Sequence, residues 1–545
     1  MALKRTPFHQ LRTVARKTNP AFHPSHISYK WLLLGNVMLG TFMAVLDATI
    51  VNVSLPKIMA SFGVGLDKVE WVITAYMLAM AVALPTSGWM ADKFGYKRLY
   101  FIGLFLFTFG SFLCGRSSDE NMLIISRVIQ GLGAGTIQPL GMAIVSREFP
   151  PHQRGIALGF WGISAAASVS FGPLIGGYLI DRFSWPLIFD VNIPVGILAM
   201  LFTIIIQSEY INRATRRFDL VGFISVTIFL PLSLYTLSQG NSMSNSEGWH
   251  APHILAFAAI SIIALAVFIT AELTVKEPLL DLGLLRNHNF GIASIIMILF
   301  SLGMFGSTFL LPIYLQNALG YSAFQAGSVF LPVGIIQGIT APISGRISDR
   351  INPKVPLYLG IGLFALSFYL NSFLSWLTEL HFIMLTLYMR GLAMGLTFTS
   401  LTAVSLSEIP REKMGQASAI SNSIRQLGGS LGIAILATLL TTRVSYHSQL
   451  YGGAVNPRSE VYQQTVNKIK IHIQHEAGSS PAVAARQSQT LLLSNLNKQA
   501  YIEGINDDFL LAGIITLLGV IPVAFLHTKK TKIQKSPENG KKNST

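Results

Sequence analysis

The chain has 545 residues, of which 51% are hydrophobic and only 12% charged, with a mean hydropathy of +0.51. Soluble domains carry about 25% charged residues, so a chain this long and this poor in charge cannot cover a water-facing surface and needs lipid as its solvent. The formal net charge of +15 would point to nucleic acid in a soluble protein, but the basic residues sit at the ends of apolar runs, so no nucleic-acid partner is expected.

The single cysteine, Cys114, excludes an intrachain disulfide and reads as a small packing residue. No Cys/His cluster suggests a metal, no GxxxxGK[ST] sequence suggests ATP, and no cofactor is expected. The N-terminal tail, 1–30, is polar and basic, and the first apolar run is too long for a signal-peptide core. A hydrocarbon core about 30 Å thick takes roughly 20 apolar residues as helix, and lipid excludes irregular backbone. Runs of that length recur at 31–56, 69–91, 98–115, 122–146, 155–180 and 186–207, then at 219–239 and 252–273. Six more lie at 290–315, 324–347, 355–376, 380–406, 415–441 and 508–528. The expected fold class is therefore an all-α polytopic membrane protein with fourteen transmembrane helices.

One set of alternate loops holds most of the Lys and Arg, including Lys97, Arg98, Arg147, Arg154, Arg213, Arg216, Arg217, Lys276, Arg346, Arg350 and Lys354. That asymmetry places both termini in the cytoplasm. Segment 442–507 is polar and partly helical; it reads as an external cap, a partner surface or a solvated insertion.

The chain repeats itself. GWMADKFGYKR at 88–98 and GRISDRINPK at 345–354 share a Gly, an Asp four residues on and a basic residue five later. Arg127 precedes a glycine-rich stretch, and so does Arg390. The organisation read from this is a tail (1–30), a six-helix bundle (31–208), two inserted helices (219–273), a second six-helix bundle (290–528, with the external segment 442–507) and a basic tail (529–545). Two repeated bundles around a central site suit alternating access.

Ionisable residues inside spans are rare and usually functional. Asp47 in the first span is the leading candidate: a carboxyl between burial and a nearby cation can load and release a proton. It is expected about 13 Å below the outer end of its span, and Arg127 at a similar depth. Arg127 stays charged and so prepares an acid rather than carrying the proton. Asp190, Asn192, Arg390 and Arg425 are candidates for a polar or substrate lining, with Arg390 a structural echo of Arg127.

Several stretches carry a family resemblance: LDATIVNVSLP (46–56), GWMADKFGYKR (88–98), RVIQGLGAGTIQP (127–139), GPLIGG (172–177), WPLIFDVNIPVG and RQLGGSLG. Together, in this order, they resemble the fourteen-span drug:proton antiporter branch of the major facilitator superfamily (EmrB/QacA-like). The resemblance implies two six-helix bundles plus two extra central helices, and a proton-coupled exporter of amphipathic drugs across the inner membrane rather than an enzyme. It implies proton-coupling roles for Asp47 and Arg127. It also implies a cytoplasmic gate at Gly88, Asp92, Gly95, Lys97 and Arg98, and an antiporter helix motif at Gly172, Pro173, Gly176 and Gly177. It permits a periplasmic adaptor and an outer-membrane channel as partners, with 442–507 as the contact. A carrier of one metabolite, or a non-transporting receptor, are the other readings. Two departures stand out: Tyr96 where a basic residue is usual, and Asp190 where an uncharged one is expected.

Overall fold

Lipid allows a spanning backbone no hydrogen-bond partners but its own, and the computed structural model answers with helix throughout. It describes residues 29–527 apart from 65, 212–218, 241–244, 246, 276–277, 455–458 and 478–479. The tail up to residue 28, the basic tail from 528, and Arg213, Arg216, Arg217 and Lys276 lie outside the described residues. No strand occurs among the described residues.

The first half contains α1 (Tyr29–Phe62), α2 (Leu66–Phe94), α3 (Tyr96–Cys114), α4 (Glu120–Glu148), α5 (Pro151–Arg182), α6 (Leu187–Asp190) and α7 (Asn192–Ile206). Next come α8 (Leu220–Gln239) and α9 (Pro252–Thr274). The second half contains α10 (His288–Ile313), α11 (Ala323–Val329), α12 (Leu331–Arg350), α13 (Lys354–Asn371), α14 (Leu380–Ser405) and α15 (Met414–Ala454), then α16 (Glu460–Ala477), α17 (Pro481–Leu518) and α18 (Val520–Phe525). Thirteen stretches among the described residues are long and apolar enough to cross a membrane. The one span of the sequence reading not among these is the fifth, α5, 32 residues long, whose hydropathy is diluted by Gly, Ala and Ser.

Local chemistry explains the breaks. Asp119, Asp219 and Asn287 cap the first turns of α4, α8 and α10. Ser322 and Gln325 form a capping box on α11. After Pro312, α10 widens into a π-helical turn over Tyr314–Ala318. Gly95 joins α2 to α3 at φ +104°, a conformation that side chains with a Cβ rarely adopt.

The repeat seen in the sequence is a repeat of packing. In the first half α1 packs on α5 and α7, α2 on α4, and α3 on α4 and α7. In the second, α10 packs on α15 and α17, α12 on α14, and α13 on α14 and α17. The halves join through the crossed pairs α2–α15 and α5–α12. The inserted α8 lies against both α2 and α15, with α9 packed behind it.

Small residues make these approaches possible. On α4, an added Cβ would come 2.5 Å from the Tyr76 carbonyl oxygen at Gly131 and 2.5 Å from that of Met80 at Gly135, while at Gly133 it would come 2.7 Å from that of Gly103. The glycine-rich fourth-span motif therefore seats α4 between α2 and α3.

Segment 442–507 is mostly helical over its described residues. At 1.5 Å per residue α15 runs about 62 Å and α17 about 57 Å, far beyond a 30 Å core. The thirteenth and fourteenth spans thus continue as rigid helices past the limits expected at 441 and 508, and α16 packs on α17 between them.

Candidate functional site

Asp47 lies on α1, fully buried, and its carboxylate forms an ion pair with the buried Arg127 of α4. α1 continues past the expected span end to Phe62, so Asp47 sits about 22 Å from that helix end. Gln130 Nε2 and Asn192 Nδ2 donate to Asp47 Oδ1 at 2.8 and 3.1 Å. Arg127 also donates to the Val72 carbonyl at 3.0 Å and to Gln130 Oε1 at 2.7 Å. Its guanidinium carbon stands 4.0 Å from the centre of the Tyr76 ring. Ser111 Oγ accepts from both Gln130 and Asn192 at 3.1 Å, and Cys114 Sγ donates to Gln130 Oε1 at 3.6 Å.

Five helices of one half thus converge on one carboxylate. The expected Asp47 and Arg127 are together, and Asn192 belongs to their network rather than to a substrate lining. Cys114, read as packing alone, is a member too. Gln130 and Ser111 were missed; the signal for Gln130 was its place one turn after Arg127. Isolated buried charges are very costly, so the site holds an anion only because a cation and two amides meet it.

The second half does not repeat this ion pair among the described residues. Arg390 is 4% exposed and donates to Thr308 Oγ1 and the carbonyls of Met304 and Ser307, with Phe330 5.7 Å from its guanidinium. No carboxylate lies within ion-pair distance of it among the described residues. It repeats Arg127 in place but not in partnership.

The halves also meet at the end of Asp92, Arg154 and Lys354, the basic end. An added Cβ at Gly88 would come 2.9 Å from the Gly415 carbonyl carbon. In the related crossed pair, Asp349 Oδ1 and Oδ2 accept from the Gly155 and Ile156 amides of α5 at 3.1 and 3.2 Å. Arg154 donates to the Leu406 carbonyl at 2.8 Å. A cavity of about 850 Å³ opens beside these contacts, lined by His152, Arg154, Asp349, Asn352, Glu408 and His527 among others.

The expected gate group divides here. Asp92 accepts from the Tyr96 hydroxyl at 3.1 Å. Lys97 instead donates to the Ile204 carbonyl at 2.7 Å, and Arg98 pairs with Glu209 at 3.6 Å. Glu209, unnoticed in the sequence, also accepts from the Lys97 and Arg98 amides at 3.1 and 3.2 Å. Tyr96, the departure from the motif, is fully buried, and its ring lies 5.3 Å from the Arg147 guanidinium.

The glycines of α5 also divide. Added Cβ atoms at Gly172 and Gly176 would meet Thr49 and Ile50 of α1 in the same half, whereas one at Gly177 would come 2.8 Å from Phe324 of α11 in the other. Pro173 lies between them in unbroken helix. Asp190 does not line any interior: it forms a part-exposed ion pair with Arg116 at the end opposite the basic one. That accounts for an acid where none was expected.

Arg425 does reach the seam between halves. It donates to Gln138 Oε1 of α4 at 3.2 Å and to Asn422 Oδ1 at 2.6 Å. Phe398 lies 5.4 Å from it and 6.4 Å from the stacked ring of Trp161. A cation, two amides and two aromatic rings from both halves thus share the centre.

An all-helical bundle of two repeated halves, crossed at α2–α15 and α5–α12 around a buried ion pair, defines a multi-pass membrane protein of the two-bundle transporter class. The chain belongs to the Major Facilitator Superfamily, whose model matches residues 37–433. It is 32% identical to the multidrug export protein EmrB of Escherichia coli K12 over 89% of this chain and 93% of that one. It is 29% identical to the uncharacterized MFS-type transporter YhcA of Bacillus subtilis, over 92% of this chain and 94% of that one. Among solved structures, the human organic anion transporter MFSD10 superposes with a TM-score of 0.59 over 91% of this chain and all of that one, at 14% identity, a likeness of fold alone.

Proposed function

We propose that the protein is a proton-coupled antiporter that exports amphipathic drugs or toxic compounds by alternating access, and that it is not an enzyme. The observation that carries this reading is the closed Asp47–Arg127 network in one half only, beside halves that meet at the basic end. The names of the relatives at 31–32% identity, multidrug export protein EmrB in Escherichia coli and Haemophilus influenzae, support it.

The halves that rock are residues 31–208 and 290–528, with 219–273 inserted. The basic end faces the cytoplasm of a cell with both termini inside, by the bias of Lys and Arg, and the membrane is the inner (cytoplasmic) one. In this state the cytoplasmic end is shut. Asp349 on the α5 amides, Gly88 against Gly415, and Asp92 with Tyr96 form the gate; Gly95, Lys97 and Arg98 fix the turn behind it.

A proton arriving from outside adds to an Asp47 oxygen and neutralises the carboxylate. The attraction of Arg127 for α1 is then lost, while Gln130 and Asn192 still bridge the helices. Loosening α1 from α4 also loosens α5, which packs on α1 through Gly172 and Gly176. α5 carries the cross-half contact with α12, so the protonation state is linked to the gate through packed helices. A substrate at the seam meets Arg425, Asn422 and Gln138 on its polar side and Trp161 and Phe398 on its flat side. A periplasmic adaptor and an outer-membrane channel fit the projecting helices of 442–507 as partners.

The test uses inverted membrane vesicles holding a respiration-driven pH gradient. Adding ethidium should partly discharge the gradient with the wild type and not with Asp47→Asn at equal expression. Equal discharge by both would sink the assignment.

A further inference from the structure

Asp508 was not singled out in the sequence because it stands at the edge of an apolar run. In the structure it is fully buried on α17, between Ile505 and Phe509 of the second half's apolar core. Neither of its carboxyl oxygens has a hydrogen-bond partner among the described residues. That sets it apart from Asp47, whose charge is met by a guanidinium and two amides.

The nearby cations are already engaged. Its neighbour Asp507 accepts from His447 Nε2 at 2.9 Å and stands 3.4 Å from Arg443 Nε, both on α15. The other helices packed on α17 bring no counter-charge to this level. α10 carries only His288 and α13 only Lys354, both at the basic end, and the charges of α16 belong to the external segment. Tyr314, the titratable group of the π-helical turn, donates its hydroxyl to the Ser375 carbonyl at 2.6 Å. Tyr501, on α17 itself, accepts from Asn317.

An ionised carboxylate buried without a partner is among the costliest groups a protein interior can hold, and such a group takes up a proton instead. A route for exchange stands next to it: Asp507 is part-exposed and His447 bonds to it at the foot of the projecting helices. Asp508 also lies about 26 Å along the helices from Phe525, and Asp47 about 27 Å from Tyr29, both measured from the basic end. Each half then holds one buried acid at one level of the bundle, one paired and one not.

We propose that Asp508 is a second proton-binding site, which takes its proton from the aqueous phase at the end opposite the basic one, by way of the Asp507–His447 pair. The step adds one proton to one carboxylate oxygen and is undone by its loss to water. Its place in export rests on the reading of the chain as a proton-driven antiporter; the protonation itself does not.

The experiment is infrared difference spectroscopy of the full chain in liposomes, titrated from acid to alkaline pH without substrate. The wild type should show a protonated-carboxyl band at neutral pH that disappears on the alkaline side. Asp508→Asn should lack that band, Asp508→Glu should restore it at a shifted frequency, and Asp47→Asn should retain it. Asn is close in shape to the neutral acid, and an unchanged thermal midpoint confirms the fold. A spectrum of Asp508→Asn identical to the wild type's overturns the proposal, as does a band that never responds to pH. Both outcomes are independent of whether Asp47 drives export.

Discussion

Removing either partner of the Asp47–Arg127 pair should cost far more than removing both. Asp47→Ala deletes the acceptor for Arg127, Gln130 and Asn192 and leaves a fully buried guanidinium with only the Val72 carbonyl and the Gln130 amide oxygen. Leaving such a charge uncompensated costs about 3–5 kcal/mol, and Arg127→Met costs a similar amount by stranding the carboxylate. The double variant strands neither charge, so the two losses should not add, and the shortfall should reach about 3 kcal/mol. The assay is a double-mutant cycle on purified protein, with unfolding in mixed micelles followed by tryptophan fluorescence. The double variant should regain stability without regaining proton coupling, which separates holding the bundle together from moving the proton. Additivity within about 0.5 kcal/mol would mean that the two side chains do not meet in the membrane, and the mechanism built on their meeting would go with it.

Three further outcomes follow from the geometry. Gly88→Val places a side chain against the Gly415 backbone and should shift the protein away from the state closed at the basic end, read as longer spin-label distances between the ends of α2 and α15. Arg390→Met removes a cation that holds no carboxylate, so coupling of proton flow to export should survive it, in contrast to Arg127→Met. Asp190→Ala breaks a part-exposed ion pair worth about 0–1 kcal/mol and should leave both the thermal midpoint and transport close to wild type.

The parts of the protein that lipid dictates were plain in the sequence. Fourteen apolar runs became helices because nothing else satisfies the backbone there, and the two matched motifs became two matched packing patterns. Asp47 and Arg127 were legible together because a charge inside an apolar run has to find a partner at its own depth. Gln130 and Ser111 were not, since they join the network from other helices and look like ordinary polar residues in their own runs, and Asn192 stood out only as a lining residue. Lys97 and Arg98 stand close to Asp92 in sequence, yet the turn at Gly95 swings them toward Glu209, just beyond the end of α7. Asp508 was hidden for another reason. Hydropathy marks where lipid ends, not where a helix ends, and α17 continues unbroken across that limit.

The central claim is that a proton gradient alone moves substrate out. Purified protein in liposomes, loaded with ethidium and given an imposed pH gradient without nucleotide, tests it most directly. Uphill ethidium movement should begin with the gradient, stop when a proton ionophore collapses it, and be absent with Asp47→Asn. Movement that ignores the gradient, or that persists in Asp47→Asn, would contradict the account.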